Sequence, residues 1–147
     1  MPSKTTKTDF LVFASTDQDN DYVAAKLIEA DTKALFLTQE EPIIQMNYVI
    51  KNDGGIIVGG IIARMYYWKL LYIDSLWVDE QYRNKGYGST LLKKVEDEAK
   101  KLGCSQGHLD TFDFQAPNFY QRHGYEICGT MNDCPPGHKK LSLRKFF

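Results

Sequence analysis

The chain has 147 residues, 43% of them hydrophobic, and a formal net charge of −1. That length and apolar share suit one compact domain with a real core, expected over residues 1–147. The near-neutral balance excludes a global field for nucleic acid or an anionic membrane, no apolar run approaches the ~20 residues that span a bilayer, and the polar opening MPSKTTKTDF lacks a signal-peptide core, so a cytoplasmic protein is expected. In chain order, DFLVFAST (9–16) reads as a first strand, and DQDN (17–20) offers caps for a helix through YVAAKLIEA, with Val23, Leu27 and Ala30 on one face. LFLTQEEPII (35–44) reads as a short helix or loop broken at Pro42. QMNYVIK (45–51), IIVGGIIARMYY (56–67) and LLYIDSLWV (70–78) read as an antiparallel meander, with NDGG (52–55) as its first turn.

From Tyr87 the period changes. Leu91, Leu92, Val95, Ala99 and Leu102 recur at helical spacing, lysines and acids balance each other on the other side, and Gly103 stands as the C′ residue. GHLDTF (107–112) reads as a strand and APNFYQRH (116–123) as a short helix stopped by Gly124. YEICGTM (125–131) and KKLSLRKFF (139–147) read as a closing strand pair joined by NDCPPG (132–137). The mixed order predicts an α/β fold around one central sheet.

Chemistry concentrates in QYRNKGYGSTLL (81–92). A strand ends near Val78, a helix opens near Gly88, and Arg83, Asn84, Lys85 and Gly86 lie between them. The first amides of a helix have no internal partners and sit at the positive end of its dipole, so glycine and basic residues there make a phosphate or diphosphate clamp. A Walker loop is excluded because no Gly-Lys-Ser/Thr is present, and the dinucleotide pattern fails because Leu91 stands where its third glycine belongs. A plain helix start with solvated charges explains the local pattern equally well.

VDEQYRNKGYGSTLL resembles the acetyl-coenzyme A signature of the GNAT superfamily of N-acetyltransferases: Arg or Gln, two residues, Gly, one residue, Gly or Ala, here Arg83, Gly86 and Gly88. QAPNFYQRHGYE resembles the later family motif, an Asn before a Phe-Tyr pair on a helix ending at Gly plus an aromatic. The likeness covers about residues 45 to 130. It implies a mostly antiparallel central sheet flanked by helices, with splayed central strands, and transfer of acetyl from acetyl-CoA to a primary amine by direct attack in a ternary complex. It further implies that the pantetheine arm pairs with Leu76, Trp77 and Val78, that the diphosphate lies on Arg83, Asn84, Lys85, Gly86, Tyr87, Gly88 and Ser89, and that Asn118 touches the arm. Many relatives pair, so a homodimer is an expectation of the resemblance.

Tyr120 occupies the place of the family's acid for the departing thiolate, with a packing tyrosine as the competing reading among nine tyrosines. Asp74 is the candidate base. Strict alternation puts Tyr72, Asp74 and Leu76 on one face, and an aspartate in an apolar strand is poised for a raised pKa or for a salt bridge. Asp110 and Asp113 compete, as base or as attractors of a cationic amine, and Gln115 is a candidate pocket residue. Cys104, Cys128, Cys134, His108, His123 and His138 lack zinc-site spacing, so no metal is expected. A non-catalytic acyl-CoA-binding module and a phosphate-binding interaction domain remain as alternatives to the enzyme.

Overall fold

The computed structural model describes residues 10–147. They fall into two units, one ending at Leu35 and one spanning Phe36–Phe147. In the first, helix α1 covers Asp17–Ala34, and its N-cap lies one residue before the expected caps. Thr16 is the N-cap: its hydroxyl accepts from the Asp19 amide at 3.1 Å, and the Asp19 carboxylate accepts from the Thr16 amide at 3.0 Å. This reciprocal box satisfies two orphan donors and holds the Asp19 carboxyl below its ordinary pKa. The strand expected over 9–16 is not formed: Phe10–Ser15 have no regular structure, and Asp9 lies outside the described residues. Apolar composition marks a residue as able to join a ladder, but a strand exists only where a partner supplies the ladder.

The second unit is built on a seven-stranded sheet. Its strands are β1 (Ile43–Gln45), β2 (Tyr48–Lys51), β3 (Ile57–Tyr66), β4 (Leu70–Val78), β5 (Gln106–Phe112), β6 (Glu126–Asn132) and β7 (Lys139–Phe146). Residues 35–42 form loop and turns rather than a helix, and the stretch read as one strand over 45–51 is divided between β1 and β2, which pair separately with β3. The order is β1-β3-β4-β5-β7-β6, with β2 also on β3. All neighbours are antiparallel except β4 and β5. The last two strands do form a hairpin, and it is β7 that slots between β5 and β6.

Helix α2 (Tyr87–Lys101) lays Leu91, Leu92, Val95 and Ala99 on one face of the sheet, where they join Ile61, Met65, Leu71, Ile73, Leu109 and Leu143 in the core. Helix α3 (Pro117–Arg122) follows β5, and Phe119 and Tyr120 pack against the same core. One charge is buried there. Glu96 accepts from the Tyr125 hydroxyl at 2.9 Å and from Lys145 Nζ at 3.0 and 3.2 Å, so its carboxylate is paired rather than orphaned. Among the described residues no helix is long and apolar enough to cross a membrane.

Candidate active site

Two features of β4 make the site. Its parallel pairing with β5 covers Leu70 to Ile73 against Gln106 to Leu109 and then stops, although β4 runs on to Val78 and β5 to Phe112. The two central strands therefore part, and a cleft of about 700 Å³ opens where they separate. The second feature is a bulge. Ile62 pairs with Ser75 but Ala63 pairs with Ile73, so Asp74 is the extra residue in the ladder. The bulge corrects the alternation expected for this strand: Asp74 and Ser75 are both exposed, while Leu76 falls back to the Ile73 side and packs against the core.

The floor of the cleft is Asp74, Ser75, Leu76, Trp77 and Val78, and beyond Ile73 the backbone of these residues has no β5 partner. At the end of β4 a short 3₁₀ turn (Glu80–Tyr82), capped by the Asp79 side chain on the Gln81 amide at 2.9 Å, leads into the glycine-bearing turn. Asn84 and Gly86 take left-handed conformations, φ 60° and 83°. Gly86 is the N-cap of α2 and offers no side-chain cap, so the first-turn amides of Tyr87, Gly88 and Ser89, residues that line the cleft, have no acceptor among the described residues. Gly88 sits where its missing Cβ would lie 3.4 Å from the Phe119 ring, which is how α3 approaches this mouth.

Most of the residues proposed from sequence meet here. Asp74, Leu76, Trp77, Val78, Arg83, Asn84, Gly86, Tyr87, Gly88, Ser89 and Tyr120 all line the one cleft, with Asp110 and Gln115. Lys85 and Asn118 are not among its lining residues; Lys85 instead lies over the Tyr82 ring, Nζ 5.4 Å from the centroid. Arg83 turns back to the strand end, its Nε donating to the Val78 carbonyl at 3.0 Å. Asp113 is engaged elsewhere, held by His138 Nδ1 at 3.0 Å and by the Lys139 amide at 3.0 Å. Gln115 accepts from the Thr111 hydroxyl and the Phe112 amide, at 3.0 and 2.9 Å, and so fastens the turn after β5.

Tyr120 is half-buried, and burial pushes its phenol up to about 12, so it is protonated across the neutral range. Its hydroxyl makes no hydrogen bond among the described residues, while its ring is held edge-on by Phe119 and Tyr125 at 5.2 and 5.9 Å. Asp74 is 52% exposed at its side chain, and its nearest cation is Arg64 at 3.9 Å. Asp110 accepts from the Ser142 and Tyr72 hydroxyls at 2.7 and 3.2 Å. Sequence reasoning missed Ser75, Tyr82, Phe114 and Arg122 as lining residues, and also the contact of Ser89 Oγ with His123 Nε2 at 2.9 Å. Only the second motif, which ends in His123 and Gly124, pointed toward that last pair.

The profile of the acetyltransferase (GNAT) family matches residues 11–125. The chain belongs to that family. It is 42% identical over 87 residues to the blasticidin-S acetyltransferase of Streptomyces morookaense, a match spanning 58% of this chain and 63% of that protein, just under two thirds of the relative's length. It is 32% identical over 103 residues to an acetyltransferase of Agrobacterium fabrum, covering 69% of this chain and 74% of the relative. Among solved structures, an acetyltransferase from Bacillus cereus superposes with a TM-score of 0.83 at 38% identity, covering 94% of this chain and 98% of the other. The fold of this family member thus matches that of the Bacillus cereus structure over nearly the whole of both chains.

Proposed function

We propose that this acetyltransferase moves the acetyl group of acetyl-CoA to a primary amine of a small molecule, by direct attack within a ternary complex. The carrying observation is that the end of β4 without a β5 partner, the uncapped first turn of α2 and Tyr120 all border one cleft. The residues fit the coenzyme. The amides of Tyr87, Gly88 and Ser89 are placed for the diphosphate, where the helix dipole adds its positive end. The pantetheine arm, which carries amides of its own, completes β4 between Asp74 and Val78 as a strand would.

In the reaction the amine lone pair attacks the thioester carbonyl carbon. A C–N bond forms, the C–S bond breaks, and the electron pair leaves on sulfur as coenzyme A thiolate. An ordinary lysine-like amine has a pKa of about 10.4 and must first lose a proton, which Asp74 accepts directly or through water at the mouth of the cleft. A backbone amide near Val78, on the part of β4 that has no β5 partner, donates to the developing oxyanion. The Tyr120 hydroxyl donates a hydrogen bond to the departing thiolate and keeps its proton. The relative that acts on blasticidin S supports a small-molecule acceptor.

Calorimetry with coenzyme A against ATP, followed by thiol release over a panel of amines, tests the proposal. Coenzyme A binding well ahead of ATP, with amine-dependent thiol release, is the expected result. Equal binding of ATP would remove the coenzyme assignment, and binding without amine-dependent release would leave only a binding module.

A further inference from the structure

On the sheet face opposite α2, β3, β4 and β5 bring Arg64, Tyr72 and His108 into one row, each paired with the next in register. Tyr66 stands one step away, and its hydroxyl meets His108 Nε2 at 2.6 Å. Together with Ile43 and Tyr67 they line a second cavity of about 360 Å³. It adjoins the thioester cleft at two points. The Tyr72 hydroxyl donates to Asp110, and Arg64 approaches Asp74, both carboxylates being part of that cleft.

Arg64 is the unusual member. Its guanidinium lies over the Tyr72 ring, Cζ 5.0 Å from the centroid. Its nearest carboxylate oxygen, on Asp74, is at 3.9 Å, beyond hydrogen-bond length, and its side chain makes no hydrogen bond among the described residues. A stacked guanidinium with its donors unengaged is the usual device for gripping a carboxylate with two parallel bonds. The neighbouring ring does not compete, because burial lowers the His108 pKa and keeps the imidazole neutral.

We propose that this cavity holds the carboxylate of the acceptor, with Arg64 as its anchor, so that the acceptor is an amino acid or another small zwitterion bearing both an amine and a carboxylate. The proposal rests on the transferase reading and names its substrate class. The charges then match along the path. Arg64 meets the carboxylate, while Asp74, its Oδ2 3.9 Å from the guanidinium, and Asp110, two residues beyond His108 on β5, meet the ammonium before it is deprotonated. A simple diamine would satisfy the two aspartates and leave Arg64 facing a like charge.

The test compares L-lysine with cadaverine, its decarboxylated counterpart, and L-ornithine with putrescine, by thiol release after coenzyme binding has been verified calorimetrically. The expected kcat/KM is about 10²-fold higher for at least one amino acid than for its diamine, a preference limited by the 40% exposure of the Arg64 side chain. Arg64→Gln should collapse that ratio to about threefold or less, and Arg64→Lys should restore only part of it, because an ammonium lacks the fork. A diamine used as well as its amino acid overturns the proposal, as does an Arg64→Gln variant that loses both acceptors in parallel, the mark of a structural role. Coenzyme binding with neither acceptor class turned over overturns it and leaves the clamp standing, whereas failure to bind coenzyme A brings down the transferase reading itself.

Discussion

Replacing Tyr120 by Phe separates two ways in which a phenol can help a thiolate leave. The Tyr120 pKa is pushed up to about 12 by burial. A coenzyme thiol resembles a cysteine thiol at about 8.5, so the gap is roughly 3.5 units, and at ~1.36 kcal/mol per unit a complete proton transfer runs uphill by about 5 kcal/mol. In the proposed mechanism Tyr120 therefore stabilises the sulfur by donating a hydrogen bond without surrendering its proton to it. A hydrogen bond to a charged acceptor contributes about 1.5–3 kcal/mol, so Tyr120→Phe should lower kcat by roughly ten- to 150-fold. The KM for acetyl-CoA should barely move, because the ring contacts with Phe119 and Tyr125 survive the loss of the hydroxyl. Steady-state thiol release across about pH 6 to pH 10 checks both points, and any basic limb in that range must persist in the variant, since a phenol at about 12 cannot produce it. An unchanged kcat would make Tyr120 a packing residue. A loss beyond ~10⁴-fold, or a basic limb that vanishes with the hydroxyl, would refute the reasoning from the raised pKa.

Three further outcomes are expected. Gly86, at φ 83°, should resist alanine, with about 1–2 kcal/mol lost in urea unfolding, while Gly88→Ala should fold within ~0.5 kcal/mol of the parent because its new Cβ meets Phe119 at an ordinary 3.4 Å; equal losses would mean that the turn is not conformationally fixed. Lys145→Met leaves the buried Glu96 carboxylate without its cation and should destabilise by about 2–4 kcal/mol, against about 1–2 kcal/mol for Tyr125→Phe; the reverse ranking in denaturant titrations would show that the phenol, not the ammonium, balances the charge. Burial holds His108 below its ordinary 6.5. The unfolded chain therefore binds that proton first, so the contribution of His108 is complete above the unfolded pKa and declines as pH falls through and below it. The Tm should drop between about pH 7.5 and pH 5, less steeply in His108→Gln, and identical slopes would exclude His108 as the source.

The parts of the fold that were legible in sequence are those with an uninterrupted local period. LLYIDSLWV is β4 residue for residue, and α2 begins within one residue of the expected Gly88, because the apolar stripe and the glycine turn are written in consecutive residues. The position of β7 between β5 and β6 was not legible, since no local signal says which of two strands from one hairpin will face the core strand. The same holds for Arg64 over Tyr72 and for Ser89 against His123. Each residue is ordinary in its own segment, and only the sheet register or the packing of α3 on α2 brings the pair together. Composition misled at FLVF, where an apolar, branched run satisfied the propensity for a strand and found no ladder.

The bulge at Asp74 explains why the candidate site lies where it does. A bulge adds a residue to one strand, bends it and increases its local twist. Here the added residue directly follows Ile73, the last residue of β4 to pair with β5. The two events are adjacent because they have one mechanical origin: the extra twist carries β4 away from β5 while β3 keeps hold of it through to Gly59 and Val78. The same residue that parts the strands also turns its carboxylate out of the core and into the cleft that the parting creates. Strict alternation would have placed Leu76 beside Asp74 and set an apolar side chain on the acceptor face. The observed register returns Leu76 to the core and leaves Asp74 and Ser75 together at the opening. One inserted residue thus sets the gap, the exposed strand edge and the outward carboxylate on which the proposed binding of thioester, arm and amine depends.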